Sequence, residues 1–108
     1  MTNEATDLLI RARGFIERGW CRDTYARDAN GNPVDPCDKC AVSWSLTGAI
    51  RAAGGAPDIE TAQQVRKCLM DAVGPGWKSF FEFNDRQESV KPILAAFDRA
   101  IAAGQNAA

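Results

Sequence analysis

Apolar residues recur every three or four positions over several stretches of this chain, the spacing that puts one face of an α-helix into a core. Leu8, Leu9, Ala12, Phe15, Ile16 and Trp20 keep that period, with Arg11, Arg13, Glu17 and Arg18 on the other side and Asn3 placed to cap the start. A first helix is expected up to about Gly19. Between Trp20 and Asp35 the period is lost, and Asp28, Asn30, Gly31, Asn32 and Pro33 supply turn chemistry. Asn30-Gly31 suits the tip of a hairpin joining 24–29 to 32–34, kept short and at an edge because Pro33 has no N–H for a ladder.

Asp35-Pro36 has the form of an N-cap followed by proline at the first helical position, which predicts a second helix over about 36–53. Its apolar stripe is Val42, Leu46, Ala49, Ile50 and Ala53, beside a small-residue stripe of Ala41, Ser45, Gly48 and Ala52. Small side chains admit a neighbouring helix closely, so this helix is expected at the centre of the bundle, ended by Gly54-Gly55. A leucine at position 48 would overpack that contact. Asp58 is set to cap a third helix carrying Ala62, Val65, Leu69, Ala72 and Val73, stopped by Gly74-Pro75-Gly76. Trp77, Phe80 and Phe81 predict one or two further turns; Val90, Ile93, Leu94, Phe97 and Ile101 line a last helix with Ser89 as cap and Pro92 in its first turn. That proline places Asn84, Asp85 and Arg86 in the preceding connection, and the tail from Gly104 to Ala108 is expected to be loose. The pattern therefore predicts an all-α fold over 1–108, a compact four-helix domain with a short irregular or β-hairpin insertion between helices one and two.

Composition narrows the function. At 108 residues the chain is long enough to bury a core without metal or disulfide staples. Its formal net charge is -1, and the early arginines alternate with acids, so no basic stripe marks nucleic acid as a partner. The apolar runs are too short to span a bilayer, and the first residues lack the basic and apolar regions of a signal peptide. A cytoplasmic protein with reduced thiols is expected, with no membrane partner.

Cys37-Asp38-Lys39-Cys40 is the sharpest local motif, because paired thiols chelate metals or exchange disulfides and a helix N-terminus stabilises a thiolate. Cys21 and Cys68 do not form a second close pair, and the chain has no histidine, so no metal site and no cofactor are expected. The Asp28 to Asn32 segment misses the calcium-loop pattern, with glycine at its fourth position and no glutamate at the twelfth. Lack of an imidazole base also argues against triad hydrolysis. Carboxylate chemistry through Asp85 with Glu82 or Glu88 stays open.

Trp20, Trp44, Trp77, Phe80, Phe81 and Phe83 are many large rings for so small a core. Two roles fit them: a satellite cluster packing the 20–35 loop on the bundle, or a partly exposed aromatic surface for recognition with Asn84 and Asp85 as polar rim. Trp44, Asn84, Asp85 and Trp20 are accordingly the candidate binding residues. Asn84 and Asp85 are expected either to bind backbone groups of the loop or to face a ligand near Trp44.

Gly19-Trp20, the run Ala26-Arg27-Asp28-Ala29-Asn30-Gly31-Asn32-Pro33, and Ala41-Val42-Ser43-Trp44-Ser45-Leu46-Thr47-Gly48-Ala49-Ile50 resemble a family of small uncharacterised bacterial and phage proteins known as a domain of unknown function. Phe83-Asn84-Asp85 and Ala96-Phe97-Asp98-Arg99-Ala100-Ile101 extend the likeness over nearly the whole chain. The family pattern often has cysteine in place of Ser45 and tryptophan in place of Phe83, and it does not include Cys37 or Cys40. The resemblance implies a stand-alone helical domain and no agreed activity. A small protein-binding or accessory factor, of phage or mobile-element origin, is the leading expectation. A metal-dependent or carboxylate-based enzyme is the alternative, and a structural homodimer is third.

Overall fold

The computed structural model describes residues 3–54 and 57–106. Its elements are α1 (Asn3–Arg18), β1 (Ala26–Arg27), β2 (Ser43–Trp44), α2 (Leu46–Gly54), α3 (Ile59–Val73), α4 (Phe80–Asp85) and α5 (Lys91–Asn106). The predominantly helical architecture and the strand pair between the first two helices agree with the sequence pattern; α4, the short additional helix beyond the four expected, is the one that Phe80 and Phe81 announced, with Trp77 in the connection before it. Asn3 lies at the start of α1, and its expected capping side chain, like Gly55, lies outside the described residues.

The core is built around α1, which packs on α2, α3 and α5. Ala5, Leu8, Leu9, Ala12 and Ile16 of α1 are buried against Leu46 and Ala49 of α2, Val65 and Leu69 of α3, and Ile93, Ala96, Phe97 and Ala100 of α5. The central helix is therefore α1 and not the second one. On α3 it is Thr61 that turns inward while Ala62 is exposed, because Thr61 follows the Asp58 cap and its hydroxyl donates to Glu4 Oε2 at 3.3 Å. Asp58 accepts from Thr61 N at 2.7 Å, as a cap should, and Gly74 ends the helix with φ 86°. The last helix continues through Asn106, so Gly104 to Asn106 are helical and not loose; 107 and 108 lie outside the described residues.

The largest departure is the start of the second helix. Residues 35–41 form two consecutive turns, each opened by an aspartate. Asp35 Oδ1 accepts from Cys37 N at 2.8 Å and its carbonyl from Asp38 N at 2.9 Å; Asp38 repeats this with Cys40 N at 2.8 Å and Ala41 N at 3.0 Å. A side-chain oxygen bonded to the N–H two residues on closes a turn as readily as it caps a helix, which is why Asp35-Pro36 misleads. Helix α2 starts well after this, at Leu46, where Ser45 Oγ accepts from Gly48 N at 3.1 Å in the manner of an N-cap. Val42, expected on the buried stripe, is 48% exposed, and Ala41 and Ser45 precede the helix.

Trp44 is held in extended backbone from both sides. Its N–H donates to Gly19 O at 3.0 Å and its carbonyl accepts from Cys21 N at 3.1 Å, while Ser45 N donates to Tyr25 O at 3.0 Å and Val42 N to Arg27 O at 2.9 Å. Trp20 thus lies past the end of α1, bridged to Trp44, instead of on the face of α1. With its other edge β1 forms one arm of the expected small hairpin, Val34 N donating to Ala26 O at 3.0 Å and Asp28 N to Asn32 O at 2.9 Å. The close approach of Gly19 to this sheet requires its missing side chain, since a Cβ would fall 2.1 Å from Val42 O.

Candidate functional site

The four residues singled out from the sequence occupy two neighbouring regions. Trp44 is in the core at 3% exposure: its ring packs on Phe15 with centroids 4.9 Å apart, its indole N–H donates to Pro36 O at 3.0 Å, and the Arg18 guanidinium lies 5.4 Å from the ring. Trp20, Asn84 and Asp85 meet one another. Asn84 lies in the last turn of α4, not in the connection that follows, and is 1% exposed. Its Oδ1 accepts from Trp20 Nε1 at 2.8 Å and from Leu46 N at 3.0 Å; its Nδ2 donates to Cys21 O at 3.1 Å and to Asp85 Oδ1 at 3.0 Å. All four bonding positions of the amide are filled. Asp85 Oδ1 also accepts from the N–H of Asp23, whose φ of 70° is the unusual left-handed one. The pair therefore binds backbone groups of the 20–35 loop, and Leu46 N at the start of α2 besides.

The exposed aromatic surface lies elsewhere, in the chain from the end of α3 into α4. An open cleft of about 220 Å³ is lined by Met70 and Val73 of α3, Trp77 and Ser79 of the connection, Phe80 and Phe81 of α4, and Thr47 of α2, with Arg66 and Lys78 as its charged lining residues. Three of its apolar side chains are substantially exposed: Met70 at 50%, Phe81 at 42% and Trp77 at 37%. The walls are anchored. Trp77 meets the buried Phe83 edge-on at 5.5 Å, and Phe81 meets Tyr25 at 5.4 Å, with the Arg51 guanidinium 4.4 Å over the Tyr25 ring. At the start of α4, Ser79 Oγ accepts from Glu82 N and Glu82 Oε2 from Lys78 N, each at 3.1 Å, which fixes the backbone beneath the cleft.

Sequence reasoning flagged Trp77, Phe80 and Phe81 but missed Met70 and Arg66. The available signal was Met70 itself, a large apolar residue off the buried stripe of α3 and one turn beyond Arg66. The charged residues lining the cleft are Arg66 and Lys78; Asn84 and Asp85, expected as its polar rim, do not line it.

Cys37 and Cys40 are exposed on the double turn, while Cys21 is buried. No helix N-terminus stands behind them. The Asp38 carboxylate, hydrogen-bonded beside it, pushes the Cys40 thiol above its ordinary range, and burial does the same for Cys21. Among the described residues no group of three histidine, cysteine, aspartate or glutamate side chains is arranged to hold a metal. A second hollow of about 210 Å³ is lined by Glu4, Asp7, Arg11 and Asp58, but Asp58 caps α3 and Glu4 accepts the Thr61 hydroxyl. No helix is long and apolar enough to cross a membrane, among the described residues.

Compared with known proteins, residues 1–103 match a family model described as a family of unknown function (DUF6197). No curated protein and no solved structure matches.

Proposed function

The chain belongs to that family of unknown function, and on this premise we propose that it is a small protein-binding accessory factor that engages its partner through the cleft between α3 and α4. One observation carries the reading: Met70, Trp77 and Phe81 are exposed together around a single concavity on rigid supports, whereas the exposed Ile10, Val42 and Ile59 line neither this cleft nor the second hollow. Clustered apolar exposure marks an interaction surface, and isolated apolar exposure is ordinary. The size of the cleft agrees. Cofactor and drug-sized sites occupy roughly 300–1,000 Å³, so about 220 Å³ suits one or two anchoring side chains of a protein better than a cofactor. The four free thiols suit a reducing, intracellular setting.

The test is site-specific photo-cross-linking in the native cell. A photoreactive residue at Met70 should trap a discrete protein adduct, and the same residue at Ile10, similarly exposed on α1, should not. Equal trapping at both positions, or none at Met70, overturns the proposal.

A further inference from the structure

We infer that the partner segment taken by this cleft is acidic, a short stretch carrying one large apolar anchor flanked by aspartate or glutamate; this rests on the binding role proposed above. The argument is charge complementarity. The ten lining residues are apolar, hydroxyl-bearing, glycine or cationic. Arg66 stands one turn before Met70 on α3, and Lys78 follows Trp77, so each of the two cations lining the cleft is close in the chain to one of its exposed apolar side chains. Among the described residues the ion pairs are Arg13 with Glu17 and Asp98, and Lys67 with Asp71, so neither Arg66 nor Lys78 is paired with a carboxylate there. Glu82, the acid nearest in sequence to Lys78, holds the Lys78 backbone N–H with Oε2. Arg51 adds a third cation one helical turn beyond Thr47, stacked on the Tyr25 ring that supports Phe81. In a chain whose formal net charge is -1, this is a local concentration of positive charge around apolar surface.

Such an arrangement fits a peptide recognised by its apolar side chain and steered by its carboxylates. Carboxylates at the rim are screened by salt, so binding should weaken as ionic strength rises.

The test is selection from a random-peptide display library against the full chain and against its Arg66→Glu/Lys78→Glu variant. Both substituted residues are exposed, and among the described residues neither forms an ion pair, so matched thermal unfolding is expected. The wild type should enrich peptides with aspartate or glutamate beside a tryptophan, phenylalanine or leucine. The variant should enrich lysine or arginine at those places and bind the wild-type peptides about tenfold more weakly, the combined effect of two exposed ion pairs. Met70→Ser should weaken either set. Peptides that depend on Met70 but show no charge preference would refute the acidic partner and leave the cleft as a binding site. Peptides indifferent to Met70→Ser, or no peptide at all, would overturn both readings. Met70-dependent binding of anionic lipid vesicles or single-stranded DNA, without acidic peptides, would also overturn the assignment to a protein segment.

Discussion

Replacing Gly48 by alanine adds one methyl group to a helix, a change that ordinarily stabilises, and the structure reverses its sign. A Cβ at Gly48 would sit 1.9 Å from Tyr25 O, 2.8 Å from its carbonyl carbon and 3.2 Å from its Cα, all of them backbone atoms. The close contact foreseen for this position is thus with the loop, and not with a second helix. Relief requires the Tyr25 backbone to shift, and that carbonyl accepts from Ser45 N at 3.0 Å. Overpacking costs about 1–3 kcal/mol, and weakening that hydrogen bond about 1 kcal/mol more. The better helix propensity of alanine returns at most about 1 kcal/mol. A net loss of about 1–3 kcal/mol follows, or a fall in Tm of roughly 5–15 °C for a domain of this size. Gly14 is the matched control: it lies in α1 with nothing within 4 Å of the place an added Cβ would take, so Gly14→Ala should raise stability by up to about 1 kcal/mol. Thermal and urea unfolding of the two variants beside the wild type would decide it. A Gly48→Ala protein as stable as the parent would refute the reasoning, because it would mean that the loop backbone yields at no cost.

Asn84→Ala should cost about 2–4 kcal/mol, since the buried Leu46 N–H and Cys21 carbonyl lose their partner together; a urea midpoint within experimental error of wild type would contradict this. Asp85→Ala removes only the bond to the exposed Asp23 N–H and one to Asn84, and should cost about 1 kcal/mol by the same measurement. Asp58 has its carboxyl pulled below the ordinary range chiefly by the hydrogen bond it accepts from the Thr61 N–H. A depressed folded value means stabilisation that is complete above the unfolded value near pH ~3.9 and lost as pH falls through the folded one. Asp58→Asn, which keeps a capping oxygen, should therefore lose less stability on acidification than the wild type, and parallel acid limbs for the two proteins would rule this out.

Much of this architecture was legible because helices α1, α3 and α5 each show their buried face as an unbroken period, with Asp58 and Gly74 marking the ends of α3. The start of α2 was not, because Asp35 and Asp38 make the same local hydrogen bonds in a turn that they would make at a helix cap. What decides between them is long-range: Trp44 must be extended for its backbone to reach Gly19 and Cys21, partners so far back in the chain that no local window contains them. The loop-pinning contacts of Asn84 and Asp85 were anticipated as one of two alternatives, since polar residues beside the anchored Phe83 had to face something fixed. The cleft was only half visible. Periodicity identifies what is buried; Met70, a large apolar residue on the outward face of α3, was the one hint, and Arg66 one turn before it carries no pattern that distinguishes a binding rim from solvated surface.

The filled amide of Asn84 also bears on the order in which the chain assembles. It ties Trp20, Cys21 and Leu46 to α4 across sequence separations of 64, 63 and 38 residues. Closing loops of that length is entropically unfavourable until helices already docked have brought the ends together. The segment from Trp20 to Ser45 has little regular structure of its own, so its order is inherited from α4, a helix formed by residues far downstream. During refolding it should gain amide protection late and in step with α4, after α1 and α5 have met. In the native protein the two should open as one cooperative unit.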